Sequence, residues 1–98
     1  MLVAFIAKDR PGQLETRMSV RPEHVEFLNK LNAEGTLAFA GPFLGEDGKP
    51  NGSLVVVEAE SVDAAGKILA EDPYAKAGLF ETTSLSAWNW VFNKPNAE

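Results

Sequence analysis

The chain has 98 residues, 14 of them acidic and 9 basic, for a formal net charge of −5. No two Lys or Arg residues are adjacent, which argues against nucleic acid and against an anionic membrane as partners, since both surfaces demand concentrated positive charge. Cysteine is absent, and with it disulfides, zinc–thiolate sites and thiol nucleophiles.

With 45% hydrophobic and 23% charged residues, the composition is that of an ordinary folded protein, and the length predicts a single domain over residues 1–98. The apolar run LVAFIA, Leu2 to Ala7, ends in charge and Pro11-Gly12 and reads as a strand buried on both faces. It is too short for a membrane span or signal peptide, so the expected location is cytoplasmic. Residues 8–20 read as polar and irregular. Pro22 suits a first helical position, and His24, Phe27, Leu28 and Leu31 then fall at i, i+3, i+4 and i+7 on one helix face, with Gly35 placed to end the helix near Glu34.

A second strand is expected over TLAFAGPFL, 36–44, and the turn-rich GEDGKPNG leads into a third, SLVVVEAE, 53–60. Ser61 can cap a second helix with Asp63 in its first turn and Val62, Ala65, Ile68 and Leu69 as its apolar stripe; Asp72-Pro73 should end it. The last strand is expected from about Glu81 to Phe92, with Trp88, Trp90 and Phe92 on one face, before a loose tail, NKPNAE.

The order strand, helix, strand, strand, helix, strand is the α+β, ferredoxin-like βαββαβ arrangement: a four-stranded antiparallel sheet with two helices on one face. Two helices cover one side only, while strands one and three are apolar on both sides and strand four carries the tryptophans. The uncovered side predicts a homodimer packed sheet against sheet.

RPEH, EGTLAFAGP, NGSLVVVEAES and EDPYAKAGLFE, in this order and spacing, resemble the YciI-like family, and the resemblance covers nearly the whole chain. It implies a small ferredoxin-like dimer related in fold to dimeric α+β barrel enzymes such as muconolactone isomerase, with a His-Asp pair in a cleft as the suspected site. On the family pattern RPEH places the histidine at His24 and DPY the aspartate at Asp72, while AKDR offers a further acid, Asp9. One distant branch resembles dehydrochlorinases acting on chlorinated hydroquinones. These motifs specify the family and not a reaction.

The topology itself brings the polar candidates together. With strands one and two parallel and three and four opposed, Asp9, Arg21, His24, Gly41-Pro42, Ser53 and Asp72-Pro73-Tyr74 fall on one edge of the sheet. A histidine there can exchange a proton near neutral pH, and Asp72 or Asp9 can orient it. Arg17 or Arg21 can hold a carboxylate or phenolate through the planar guanidinium, and Gly41 lets a ligand approach the backbone. Each residue also has a structural reading: Asp72 as a helix terminator, Asp9 and Arg17 as solvated loop charges, Tyr74 as packing, Gly41-Pro42 as a bend, and Trp88, Trp90 and Phe92 as interface core.

The sequence contains no HExxH, no glycine-rich phosphate loop and no serine elbow, and one histidine offers no metal cluster. No cofactor and no metal are therefore expected. The reading is a cofactor-independent enzyme on a small organic molecule of aromatic or anionic character, with catalytic His24 and Asp72 or Asp9. Isomerisation, elimination and hydrolysis all fit, and Arg17, Arg21, Gly41, Pro42, Ser53 and Tyr74 are the substrate-binding candidates. The alternatives are a metabolite-binding or regulatory module using the same cleft, and a structural accessory subunit.

Overall fold

The structure is a computed structural model and describes residues 1–95. Its elements are β1 (Leu2–Asp9), α1 (Leu14–Ala33), β2 (Leu37–Leu44), β3 (Pro50–Glu58), α2 (Val62–Leu69), α3 (Pro73–Lys76) and β4 (Phe80–Trp88). They form one four-stranded sheet in the order β2-β3-β1-β4 with every neighbouring pair antiparallel. This is the ferredoxin-like βαββαβ arrangement expected from the sequence. The inner strands β1 and β3 are the apolar ones: Val3, Phe5 and Ala7 alternate into a core with Val55, Val57, Leu31, Ala65 and Leu69. One cluster thus joins both long helices to a single side of the sheet. Among the described residues, no helix is long and apolar enough to cross a membrane.

The first helix departs from expectation. It begins at Leu14, before Pro22, which lies inside it. Its buried residues are Arg17, His24 and Leu31, seven apart and so on one side of the helix at two-turn intervals. Two of these three are ionisable, so the inward face shows no apolar stripe in its first half and the helix reads as irregular from sequence. The proline removes one helical N–H and crowds the carbonyl of Met18, and the packing of the flanking turns overrides that local cost. Gly35 does end α1. At φ 79° it allows Gly35 N–H to reach Asn32 O and Thr36 N–H to reach Leu31 O, the paired bonds that satisfy the last carbonyls.

Ser61 caps α2 as expected, accepting from Ala64 N–H at 3.0 Å. The helix stops at Leu69, however, and Asp72 starts α3 instead of terminating α2. Pro73 takes the first position of that short helix, where its fixed φ costs nothing. Gly78, at φ 72°, then turns the chain so that Leu79 is buried and its carbonyl accepts from Arg10 N–H at 2.9 Å. That bond fastens the chain just after β1 to Leu79, whose own N–H reaches Tyr74 O at 3.2 Å.

The last strand is also shorter than expected. β4 ends at Trp88, and Trp90 Nε1 donates to Phe92 O at 2.9 Å in an irregular segment that leaves Phe92 exposed. Trp88, Trp90 and Phe92 therefore do not form one strand face. Instead, Trp88 and Trp90 both meet Phe39 of β2 edge to face, at 5.6 and 4.8 Å. Because β4 and β2 are opposite edges of the sheet, this trio spans one end of the helix-free side, where Phe39 is in register with buried Val56. Ile6, paired with Leu54 and Ser84 near the middle of that side, remains 46% exposed. Of the tail expected to be loose, residues 96–98 lie outside the described residues.

Candidate functional site

Asp9 and Arg17 are not solvated loop charges. Arg17 Nε donates to Asp9 Oδ2 at 2.7 Å and Nη2 to Oδ1 at 3.1 Å, with both residues buried. Nη2 also donates to Ser53 Oγ at 2.7 Å. The extension of α1 upstream of Pro22 makes this pair: it carries Arg17 inward over the end of β1, where the alternation that buries Val3, Phe5 and Ala7 buries Asp9 as well. A charge buried this way needs its counterion and its hydrogen bonds, and Arg17 has both. Asp9 is thereby committed to Arg17 and does not pair with His24.

The partner of His24 is Asp72. Their separation is 2.8 Å from Nδ1 to Oδ1 and 3.1 Å to Oδ2. Asp72 is fully enclosed, and its Oδ1 also accepts the Tyr74 backbone N–H at 2.9 Å. That second bond is the capping of α3, so one carboxylate both starts a helix and orients a ring. With Asp72 accepting, Nδ1 carries the ring proton, and Nε2 is the nitrogen left without a protein partner among the described residues. Tyr74 closes the arrangement: its ring stacks on His24 with centroids 3.9 Å apart and planes 15° apart, and the Arg17 guanidinium carbon lies 4.6 Å from the same ring centre. Since Arg17 and His24 are two turns apart on α1, the tyrosine ring fits between them.

These groups open on a cavity of about 210 Å³ between α1 and the β2–β3 side of the sheet. Arg17, Arg21, His24, Ser53 and Tyr74 supply its polar lining. Gly41 and Pro42 form its exposed rim on β2, and a side chain at Gly41 would meet open space, so the backbone there is approachable. Neither Asp9 nor Asp72 lines the cavity; each stands behind the base it binds. Arg21 is exposed and has no ion pair or hydrogen bond among the described residues. Burial raises the Tyr74 hydroxyl above its ordinary pKa of 10.0; Arg17 and Arg21 pull it down by a lesser amount, and Asp72 and Asp9 add to the rise. Tyr74 is therefore a protonated donor at neutral pH. Among the described residues, no three His, Asp or Glu side chains converge as metal ligands would.

Every site candidate singled out from the sequence lies in or directly behind this cavity: six of them form two hydrogen-bonded groups, Asp9–Arg17–Ser53 and Asp72–His24–Tyr74, and Arg21, Gly41 and Pro42 line it besides. Sequence reasoning did not assign the apolar walls of the cavity, which are Met18, Val25 and Leu28 of α1 and Val55 of β3. Val25 and Leu28 carried a usable signal, since they flank His24 one residue and one turn along the same helix. Val55 carried none, because its strand is apolar throughout.

Comparison with known proteins places this geometry in context. A family model described as the YCII-related domain matches residues 1–89. Protein YciI of Escherichia coli O6:H1 is 39% identical over 98 residues, spanning 94% of this chain and 100% of the relative. Among solved structures, 5-chloro-2-hydroxyhydroquinone dehydrochlorinase (TftG) from Burkholderia phenoliruptrix AC1100, in complex with 2,5-dihydroxybenzoquinone, superposes with a TM-score of 0.81 at 36% identity over 91% of this chain and 94% of that one. A NIPSNAP family protein from Agrobacterium tumefaciens shares the fold alone, with a TM-score of 0.56 at 20% identity over 96% of this chain and 95% of that one.

Proposed function

The chain belongs to the YCII-related domain family, and on that premise we propose that it is a cofactor-independent acid–base enzyme acting on a small organic molecule of aromatic or anionic character. The carrying observation is the 2.8 Å contact of His24 Nδ1 with enclosed Asp72, which leaves Nε2 as the working nitrogen on a cavity. Nε2 accepts a proton from the substrate while Nδ1–H stays on Asp72, whose carboxylate stabilises the imidazolium formed. The electron pair left on the substrate enters a new π bond as an anionic group departs from the adjacent carbon, or takes the proton back at another carbon. The first course is elimination and the second isomerisation; likeness to an enzyme named as a dehydrochlorinase supports elimination. The cavity is smaller than the usual roughly 300–1,000 Å³ of drug-sized pockets, which supports a substrate of about one ring.

The test is turnover of single-ring halogenated and hydroxylated compounds, beginning with 5-chloro-2-hydroxyhydroquinone, by the wild type, His24→Ala and Asp72→Asn. Turnover by the wild type that both variants lose supports the dyad; turnover that survives in His24→Ala defeats it. Binding without turnover by the wild type points instead to a metabolite-binding module.

The proposal extends to assembly. The helix-free side of the sheet, with exposed Ile6 at its middle and the Phe39–Trp88–Trp90 trio at one end, supports a sheet-to-sheet homodimer of a single domain. A cytoplasmic setting accords with the absence of cysteine.

A further inference from the structure

Two polar groups of the cavity are engaged neither by the dyad nor by the Asp9–Arg17–Ser53 group. The first is the Tyr74 hydroxyl. Tyr74 is 1% exposed, yet its hydroxyl has no hydrogen-bond partner among the described residues, and none of their fully enclosed side-chain nitrogens or oxygens lacks one. The hydroxyl therefore keeps an opening, and the void that Tyr74 lines is the cavity. A tyrosine buried this far normally finds a partner for its O–H. The second is Arg21, one turn before His24 on α1, which lines the same cavity without a counterion among the described residues.

Charge around the cavity sharpens the point. Arg17 is compensated by Asp9 at 2.7 Å, and Asp72 stands behind His24. The guanidinium left to act on an incoming molecule is that of Arg21, and it lies close enough to Tyr74 to pull the hydroxyl's pKa down against burial. The other walls are apolar, from Val25 and Leu28 of α1 and Val55 of β3, and suit the faces of a ring.

We propose that the Tyr74 hydroxyl and the Arg21 guanidinium form an oxyanion subsite, so that the cavity takes a single-ring organic anion whose ionised oxygen is bound by both and whose ring is thereby aligned with His24. Tyr74 donates the hydrogen bond and Arg21 supplies the charge; the oxygen is a phenolate, an enolate or a carboxylate. This deepens the acid–base reading above and rests on it only for the role of His24.

The experiment uses para-nitrophenol, benzoate and uncharged para-nitroanisole, three single-ring probes of similar size, with binding followed by calorimetry and the ionisation of para-nitrophenol by its visible absorption. The wild type should bind at least one of the two anions about tenfold more tightly than para-nitroanisole, as expected for a charge-assisted hydrogen bond, and bound para-nitrophenol should be the phenolate. Arg21→Gln, at an exposed position, should lose about that factor for the anions and none for para-nitroanisole. Tyr74→Phe, which keeps the ring stacked on His24, should weaken anion binding several-fold and shift bound para-nitrophenol towards the neutral phenol. Preference for phenolate over benzoate, or the reverse, identifies the oxygen.

Anions bound no more tightly than para-nitroanisole, anion binding unchanged in Arg21→Gln, or no binding of any probe at millimolar concentration would overturn the subsite. His24→Asn separates the two readings. Loss of turnover with Arg21-dependent anion binding intact supports both. Absent turnover in the wild type with Arg21-dependent binding defeats the catalytic reading and leaves the subsite standing.

Discussion

His24 and Tyr74 lie face to face, with ring centroids 3.9 Å apart and planes 15° apart. They come from α1 and α3, and what joins them is Asp72, which binds the imidazole through Oδ1 and receives the Tyr74 N–H on the same atom. The stack sets the plane of the imidazole, and the carboxylate sets its rotation about that plane. An imidazole held in both respects would lose little entropy on reaching a reactive geometry in the acid–base role proposed for it.

Asp72→Asn should isolate the charge of this carboxylate from its capping role. An asparagine side chain keeps an oxygen for Tyr74 N–H, so α3 should persist in circular dichroism, and thermal stability should fall only modestly. Turnover should drop by about a hundredfold or more, the scale at which general acid–base contributions operate. A variant as active as the wild type would show that the carboxylate's charge plays no part.

The pair formed by Asp9 and Arg17 predicts a different phenotype. Both are buried, so Asp9→Asn or Arg17→Met alone strands a charge and should cost about 3–5 kcal/mol in denaturant unfolding. Asp9→Leu combined with Arg17→Met removes both charges and should recover part of that loss. If the two single variants are as stable as the wild type, the pair lies closer to solvent than the structure shows.

Tyr74 is the sole tyrosine in the chain, so ultraviolet titration reads it directly. Its hydroxyl is raised above 10.0 by burial, and the folded state therefore holds its proton more tightly than the unfolded state does. The associated stability is fully present below pH 10 and is lost as pH rises from there through the folded pKa. Half-ionisation of Tyr74 should fall above pH 10, and Tyr74→Phe should lose less stability than the wild type over that alkaline window. Ionisation at or below the ordinary value would contradict the burial.

Gly52 supplies a test of strand packing. A Cβ built there would sit 2.6 Å from the backbone oxygen of Ala7 on β1, a contact that neither strand can relieve without shifting. Gly52→Ala should destabilise by about 1–3 kcal/mol through overpacking. It should also disturb the neighbouring Ser53–Arg17 bond, visible as altered chemical shifts around Arg17. Unchanged stability would mean that β1 and β3 slide apart freely at this point.

Ile6→Glu places a charge at the middle of the helix-free side. It should convert the species seen in sedimentation at micromolar concentration from twice the monomer mass to the monomer, since burying an unpaired charge opposes association. A wild-type protein that is already monomeric and well folded there would sink the sheet-to-sheet arrangement.

Local chemistry determined much of this from sequence. The apolar runs of β1 and β3, the Ser61 cap and the Gly35 stop depend on a few adjacent residues and were legible, and with the element order they placed His24, Asp72, Tyr74 and Ser53 at one edge. What the linear chain did not decide was which acid served which base. Asp72 was favoured for His24 only through the family resemblance, with Asp9 as the fallback, because the choice depends on a helix whose inward face is partly ionic. Once α1 starts at Leu14, Arg17 is carried inward over β1 and captures Asp9, and Asp72 alone remains in reach of the imidazole. Apolar periodicity cannot announce a helix turn whose buried member is an arginine, since such burial becomes favourable only when a carboxylate distant along the chain closes the charge. That closure is a tertiary event, and it separates the ion pair that supports the cavity from the pair that faces it.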